Sequence, residues 1–437
     1  MGGLESLNKG AAWEYRVRRA VFLSGWYVRG GIDLRELVNG SAQTLGELDV
    51  VGLDFATDLR ELRLVGECKN RSGGAKEADR VVWLLGIAQV VNATRTLFAK
   101  PTLGSAIYEW ASRLDVELWD EAAIQGIEKR VGVPSDDEYF GSWNPAASEG
   151  VRTLARHASQ SDQRVKRAVD YLFGAFWFDD NAARTKRLKS YFDVISRSTS
   201  LRDAEKDVLV LEGLIALIAA ATVAAGELSR WSPARGVVRL NDEFAAGVAN
   251  ASALRDIAAR ADDYYRDAFT KANRSRTSGR IPMDVPRLVD TVARPPEWLP
   301  EFLELSRSVG LHPRYGTDTL RFADLLIHEN LLLGKAVSPA VAGSIVSPPE
   351  ELLRLIQLAG HFLGRVWGVG RPAVEMLLSA SSDITQAPPQ RAVGYAMSPV
   401  QPALDMNVSR LGDSGVPAAG EGRAATPTTH ERASESE

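Results

Sequence analysis

Apolar and polar positions divide the chain into three stretches. Up to about residue 133, short apolar runs alternate with amphipathic segments. Leu7, Ala11, Val17 and Val21 recur at helical spacing and predict a helix over 4–24, which Gly25 stops. Trp26-Tyr27-Val28 reads as a short strand, and 48–53 and 62–65 as two further strands. After a loop at 71–74, Val81, Leu84, Leu85, Ala88 and Val91 line one side of a helix over 77–92. Strands follow at 95–99 and 116–119. Helices follow at 101–113, with Pro101 in its first turn, and at 121–130. The order α-β-β-β-α-β-α-β-α predicts an α/β domain, a mixed sheet flanked by helices, over 1–133.

Pro, Gly, Ser and acidic residues over 134–150 break this pattern and read as a linker. The stretch 151–384 is mainly helical in pattern, with Val165, Val169, Leu172, Phe173 and Phe176 spaced like a core face. Later helices are expected at 241–271, 301–309, 319–333 and 349–367. The most apolar run, 208–226, approaches the length of a membrane span. Glu212 interrupts it, and Asp207 and Glu227 flank it without any Lys/Arg bias, so it reads as a buried central helix and no membrane is expected. Nothing in this helical half assigns it a role. From 385 to 437 Pro, Ala, Gly, Ser, Thr and Glu dominate, which predicts a disordered tail.

Composition adds little. The single cysteine, Cys68, excludes an internal disulfide and suits a reducing compartment. The first ten residues have no apolar signal core, so a cytoplasmic chain is expected. A net charge of -4 gives no whole-chain footprint for nucleic acid. Contacts with DNA would have to be local. Arg16, Arg18, Arg19, Arg71, Lys76 and Arg80 flank the region described next. Lys186, Arg187, Lys189 and the loop 273–280 read first as solvated surface. His312, His328 and His361 show no metal-ligand spacing.

The chemistry concentrates in GELDVVG and LVGECKN. Asp49 and Glu67 lie in apolar, strand-like runs, where solvated surface charge is less expected. Two strands joined by a turn would bring Asp49, Glu67 and Lys69 together near one sheet edge. Carboxylates are the hard oxygen ligands that suit Mg2+, with Mn2+ as a substitute, and the backbone carbonyl of Cys68 could complete the set. Lys69, two residues from Glu67, would share its face and could position a water and stabilise developing charge. Glu14 on the first helix could add a carboxylate to the metal. Gln89 on the later helix could orient a phosphate or water. These residues point to phosphodiester hydrolysis.

The segments KGAAWEYRVRRAVFLSGWYV, GELDVVG, LVGECKN and LLGIAQVVNATRTLFAK resemble the PD-(D/E)xK nuclease superfamily, the restriction-endonuclease-like fold. The likeness is greatest to its Mrr-like and Holliday-junction-resolvase-like branches, over about 1–133. The resemblance matches Glu14, Asp49, Glu67 and Lys69 to the family's positions, and Gln89 less closely. Leu48 stands where the eponymous Pro would be. It implies a Mg2+-dependent DNA endonuclease, in defence against foreign DNA or in repair. Duplex cleavage makes a homodimer attractive. The alternative expectation is a catalytically inactive nuclease fold that binds nucleic acid while its helical half recruits partners.

Overall fold

The computed structural model describes residues 9–38, 41–70, 77–131, 141–246, 251–275, 287–288, 294–332, 349–370 and 372–375. The expected tail at 385–437 and the loop at 71–74 lie outside these residues, as does most of 273–280.

Helix α1 (Lys9–Leu23) buries Val17, Ala20, Val21 and Phe22 completely. Gly25, at φ +101°, turns the chain into β1 (Tyr27–Arg29). A hairpin follows that the strand expectations omitted: β2 (Ile32–Val38) and β3 (Ser41–Leu48) pair antiparallel, Val38 opposite Ser41. Leu48 therefore ends the hairpin and does not begin the next strand. That strand, β4 (Val50–Phe55), pairs antiparallel with β5 (Glu61–Cys68).

From β5 the connections become crossovers. Helix α2 (Glu77–Val90) leads to β6 (Arg95–Ala99), and α3 (Ser105–Arg113) to β7 (Val116–Trp119), both parallel to their neighbours. Helix α3 starts at Ser105, after the extended Gly104, so Pro101 lies before it and not in its first turn. Helix α4 (Glu121–Val131) closes the region and packs with α1. The five-stranded sheet runs β1-β4-β5-β6-β7 and is mixed, with helices flanking it.

The remainder is helical. Its elements are α5 (Pro145–Ser161), α6 (Gln163–Leu172), α7 (Asn181–Arg197), α8 (Asp203–Ser229), α9 (Pro233–Ala246) and α10 (Ala251–Arg274). Then come α11 (Leu299–Gly310), α12 (Gly316–Leu325), a π-helical continuation (Leu326–Leu332) and α13 (Pro349–Val366). Helix α8 is long and apolar enough to cross a membrane, yet 94% of its most apolar window is buried inside the protein. Helices α7, α11, α12 and α13 pack around it.

The segment expected as a linker is not a gap in packing where it is described. Gly141–Trp143 forms a 3-10 turn with Trp143 fully buried, and Asn144 caps α5. One hydrophobic cluster runs from the sheet into the helices. Helix α12 packs on β1 and β4. Polar ties reinforce the junction: Thr317 Oγ1 accepts from the Phe55 N–H at 2.9 Å, and Arg321 donates to the Phe22 carbonyl at 2.9 Å. Arg184 on α7 reaches Glu61 on β5 at 2.9 Å. Glu212, the residue that interrupts the apolar run of α8, is fully buried against Arg29 of β1.

Candidate active site

Asp49 is the single residue between β3 and β4, at the joint where the chain leaves the hairpin and enters the sheet. The β4–β5 register pairs Val50 with Gly66, so Asp49 comes level with Glu67. The N–H of Cys68 donates to Asp49 Oδ2 at 2.7 Å and fixes that carboxylate against the end of β5. Glu67 is only 2% exposed. Lys69 Nζ lies 2.5 Å from Glu67 Oε1, and Arg80 of α2 lies 3.8 Å from the same oxygen. Sheet order places this group at strand ends in the middle of the sheet, since β4 and β5 are flanked by β1 and β6. It is not at a lateral edge.

Helix α1 delivers the third carboxylate. Trp13 Nε1 donates to the Ala99 carbonyl at 3.3 Å and seats the helix on β6. The next residue, Glu14, accepts from Arg18 at 3.3 Å, one turn on. Arg18 Nε also donates to the Asp49 carbonyl at 2.8 Å. One guanidinium thus positions both acidic residues.

Burial, with the neighbouring Asp49 charge adding to it, holds the Glu14 carboxyl above its usual range against the opposing pull of Arg18. Burial likewise raises Glu67. The Lys69 hydrogen bond opposes that rise and Asp49 adds to it. Burial pushes the Cys68 thiol well up, so it stays protonated and is no nucleophile. Carboxylates that disfavour one another's charge in a half-dry site are a donor set that a hard divalent cation would relieve. Glu14, Asp49, Glu67 and the Cys68 carbonyl fit such an ion by donor chemistry. Among the described residues, no three or more His, Cys, Asp or Glu side chains are placed close enough together to hold a metal ion between them as they stand.

Gln89 is not brought to this group. It is exposed near the last turn of α2, nine positions beyond Arg80, or roughly 13 Å along the axis. Arg80, in the first turns, is what α2 contributes. The basic residues also separate. Arg16 and Arg19 bind Glu128 of α4, so they fasten two helices together. Arg71 and Lys76 lie outside the described residues. Lys186, Arg187 and Lys189 are engaged with the Phe244 carbonyl, Asp179 and Asp193.

Sequence reasoning passed over Gly30 and Gly31. A β-carbon on Gly30 would lie 2.0 Å from Arg18 Nε. Gly31 has φ +66°, and a β-carbon there would lie 2.3 Å from an Arg152 nitrogen and 3.0 Å from Glu47 Oε1. Two adjacent glycines directly after a strand were the available signal. No family model, curated protein or solved structure matches the chain. The chemistry of the site therefore rests on its own geometry.

Proposed function

We propose that the N-terminal region is a metal-dependent DNA endonuclease with a restriction-endonuclease-like arrangement of sheet and site. One observation carries this reading: Asp49 and Glu67 lie level across β4 and β5, Lys69 is bonded to Glu67, and Glu14 arrives from α1.

Asp49, Glu67, Glu14 and the Cys68 carbonyl would hold Mg2+, or Mn2+ in its place. When bound, the ion neutralises phosphate charge and makes a water more acidic. The chain's own residues do the rest. The Cys68 N–H immobilises one oxygen of Asp49 and leaves the other to act. Lys69, about one-third exposed, reaches from buried Glu67 toward solvent, where a scissile phosphate would sit. Its ammonium donates to a phosphate oxygen as negative charge builds, and orients the attacking water. Water adds to phosphorus, the bridging P–O bond breaks, and the leaving oxygen takes a proton. Arg18 keeps Glu14 and Asp49 in place, and Arg80 adds positive charge beside Glu67. Each site cuts one strand, so a homodimer would supply the second cut of a duplex. Defence against foreign DNA and DNA repair are the settings that suit such a nuclease joined to a helical region.

Nicking of supercoiled plasmid by purified protein tests the reading. Cleavage is expected with Mg2+ or Mn2+, none with EDTA, and a loss of about 100-fold or more in Asp49→Asn, Glu67→Gln and Lys69→Ala. Binding of DNA by the wild type without cleavage in either metal would replace this reading with that of a non-catalytic nucleic-acid-binding fold.

A further inference from the structure

A cleft of about 480 Å³ opens between the sheet region and helices α5 and α6. Its sheet side is formed by Arg29, the Gly30–Gly31 turn and Glu47. Its helical side carries Arg152, Arg156, Lys166 and Phe173. The cleft adjoins the carboxylate group across the Gly30–Gly31 turn, and none of Glu14, Asp49, Glu67 or Lys69 lines it. Gly30 packs its backbone on Arg18, the residue that holds Glu14 and Asp49. Glu47 is close enough for its charge to raise the Glu14 carboxyl. The glycine turn is thus a thin wall with the acidic group on one side and Arg152 on the other.

We propose that this cleft receives unpaired nucleotides of the strand being cut, so that the substrate is a single strand or a duplex bearing an unpaired arm. The inference rests on the nuclease reading and specifies its substrate. Size is the first argument. The cleft falls within the ~300–1,000 Å³ of pockets that enclose small ligands. An intact duplex, with two backbones flanking its stacked base pairs, does not enter a cavity of that volume. Charge is the second. Arg152 and Arg156, one turn apart on α5, provide cations for a backbone, Arg152 tied to the Gly30 carbonyl at 3.2 Å and Arg156 loosely to Glu149 at 3.7 Å, while Lys166 on α6 is paired with Asp170 at 2.8 Å. Asp33, Glu47 and Asp170 interrupt them, which suits a strand presenting base edges as well as phosphates. The third is Phe173, whose ring gives a stacking face for a base of any identity. Arg29, at 5.4 Å from the Phe173 ring centroid, steadies it.

Fluorescence anisotropy on the full-length chain carrying Glu67→Gln separates binding from cutting. The probes are oligo-dT, oligo-U, a blunt duplex and the same duplex with a single-stranded flap. The expected result is that the single strands and the flapped duplex bind at least ~10-fold more tightly than the blunt duplex, with a salt dependence set by the phosphates neutralised. Arg156→Glu is the cleanest variant, because Arg156 is 61% exposed and supports no core. It and Arg152→Gln should each weaken strand binding by ~5-fold or more and lower the salt slope by about one, with unchanged melting temperature for Arg156→Glu. A preference between oligo-dT and oligo-U names the strand and supports the cleft either way. Equal affinity for blunt duplex, or strand binding untouched by both substitutions, would overturn the inference, even if the wild type nicks plasmid and the nuclease reading stands. Strand binding through the cleft, with no cleavage of any probe by the wild type in Mg2+ or Mn2+, would overturn the nuclease reading and with it the cleft's part in cutting.

Discussion

Arg29 of β1 and Glu212 of α8, 183 residues apart, meet inside the protein at 2.5 Å. Glu212 is fully buried, and His328 and Asp324 lie beside the pair, His328 at 3.6 Å from Glu212 and 3.4 Å from Asp324. A buried charge without its partner is strongly destabilising, whereas replacing both partners by apolar groups is much less so. Glu212→Leu is expected to lower stability by about 3–5 kcal/mol, and Arg29→Met with Glu212→Leu by clearly less. Urea unfolding of the three proteins checks this. Equal losses in the single and double variants would mean that the pair is not a coupled unit.

Lys69 and Glu67 make a prediction about acidity. Burial lifts the Glu67 carboxyl, and the Lys69 hydrogen bond is the largest influence holding it down. Removing that ammonium lets the pKa rise further. In Lys69→Gln, NMR titration of the Glu67 carboxyl should give a higher pKa than in the wild type. An unchanged or lower value would show that the two groups are not bonded in solution.

Glu227, on the last turns of α8, carries a pH-dependent strain. Burial, with Glu243 nearby, pushes its carboxyl up to about 7, and Oε2 has no hydrogen-bond partner. A carboxyl raised in the folded state binds its proton more tightly there than in the unfolded chain. The penalty is therefore absent below the ordinary value of 4.5, grows as pH rises, and is complete above about 7. Glu227→Gln is expected to stabilise the protein at pH 8 by up to about 3 kcal/mol and to do nothing at pH 4. Thermal melts at the two pH values decide it.

The glycine wall admits a test of its own. Gly31→Ala must hold a left-handed residue, at a cost of about 1–2 kcal/mol, and must push Arg152 away from the Gly30 carbonyl, which it reaches at 3.2 Å. A lower melting temperature with weakened binding of oligo-dT is expected. Gly25→Ala serves as control: at φ +101° it meets a positive-φ backbone penalty of its own, but a β-carbon there finds no atom within 4 Å.

Much of the sheet was legible because its strands are short apolar runs punctuated by glycine. The hairpin at 32–48 was not, although Asn39-Gly40 is a turn signal, because Asp33, Arg35, Glu36, Gln43 and Thr44 make its strands look like surface loop. Asp49 and Glu67 stood out as acids in apolar, strand-like runs, although Asp49 is the joint between β3 and β4 and not a residue inside a strand. Arg18 did not. Arg16, Arg18 and Arg19 are alike in sequence, and only partners 31, 112 and 109 residues away separate the one that serves the site from the two that clamp α4. Gln89 was assigned to the group because a helix pattern does not say which end of the helix faces it. Glu212 read as a flaw in an apolar run because its counterion is on a strand 183 residues earlier.

The continuous hydrophobic cluster across sheet and helices has a practical consequence. Cutting the gene after codon 150 would not liberate a folded N-terminal region. The fragment would carry Tyr27 and Phe55 bare to water, and Arg29 without the Glu212 carboxylate that pairs with it. The helical half is the other side of the first half's interior, not cargo attached to it. Lesions there should disrupt the carboxylate site by unfolding the sheet beneath it, and grafting the first 133 residues onto another chain should fail unless the helices that cover them travel too.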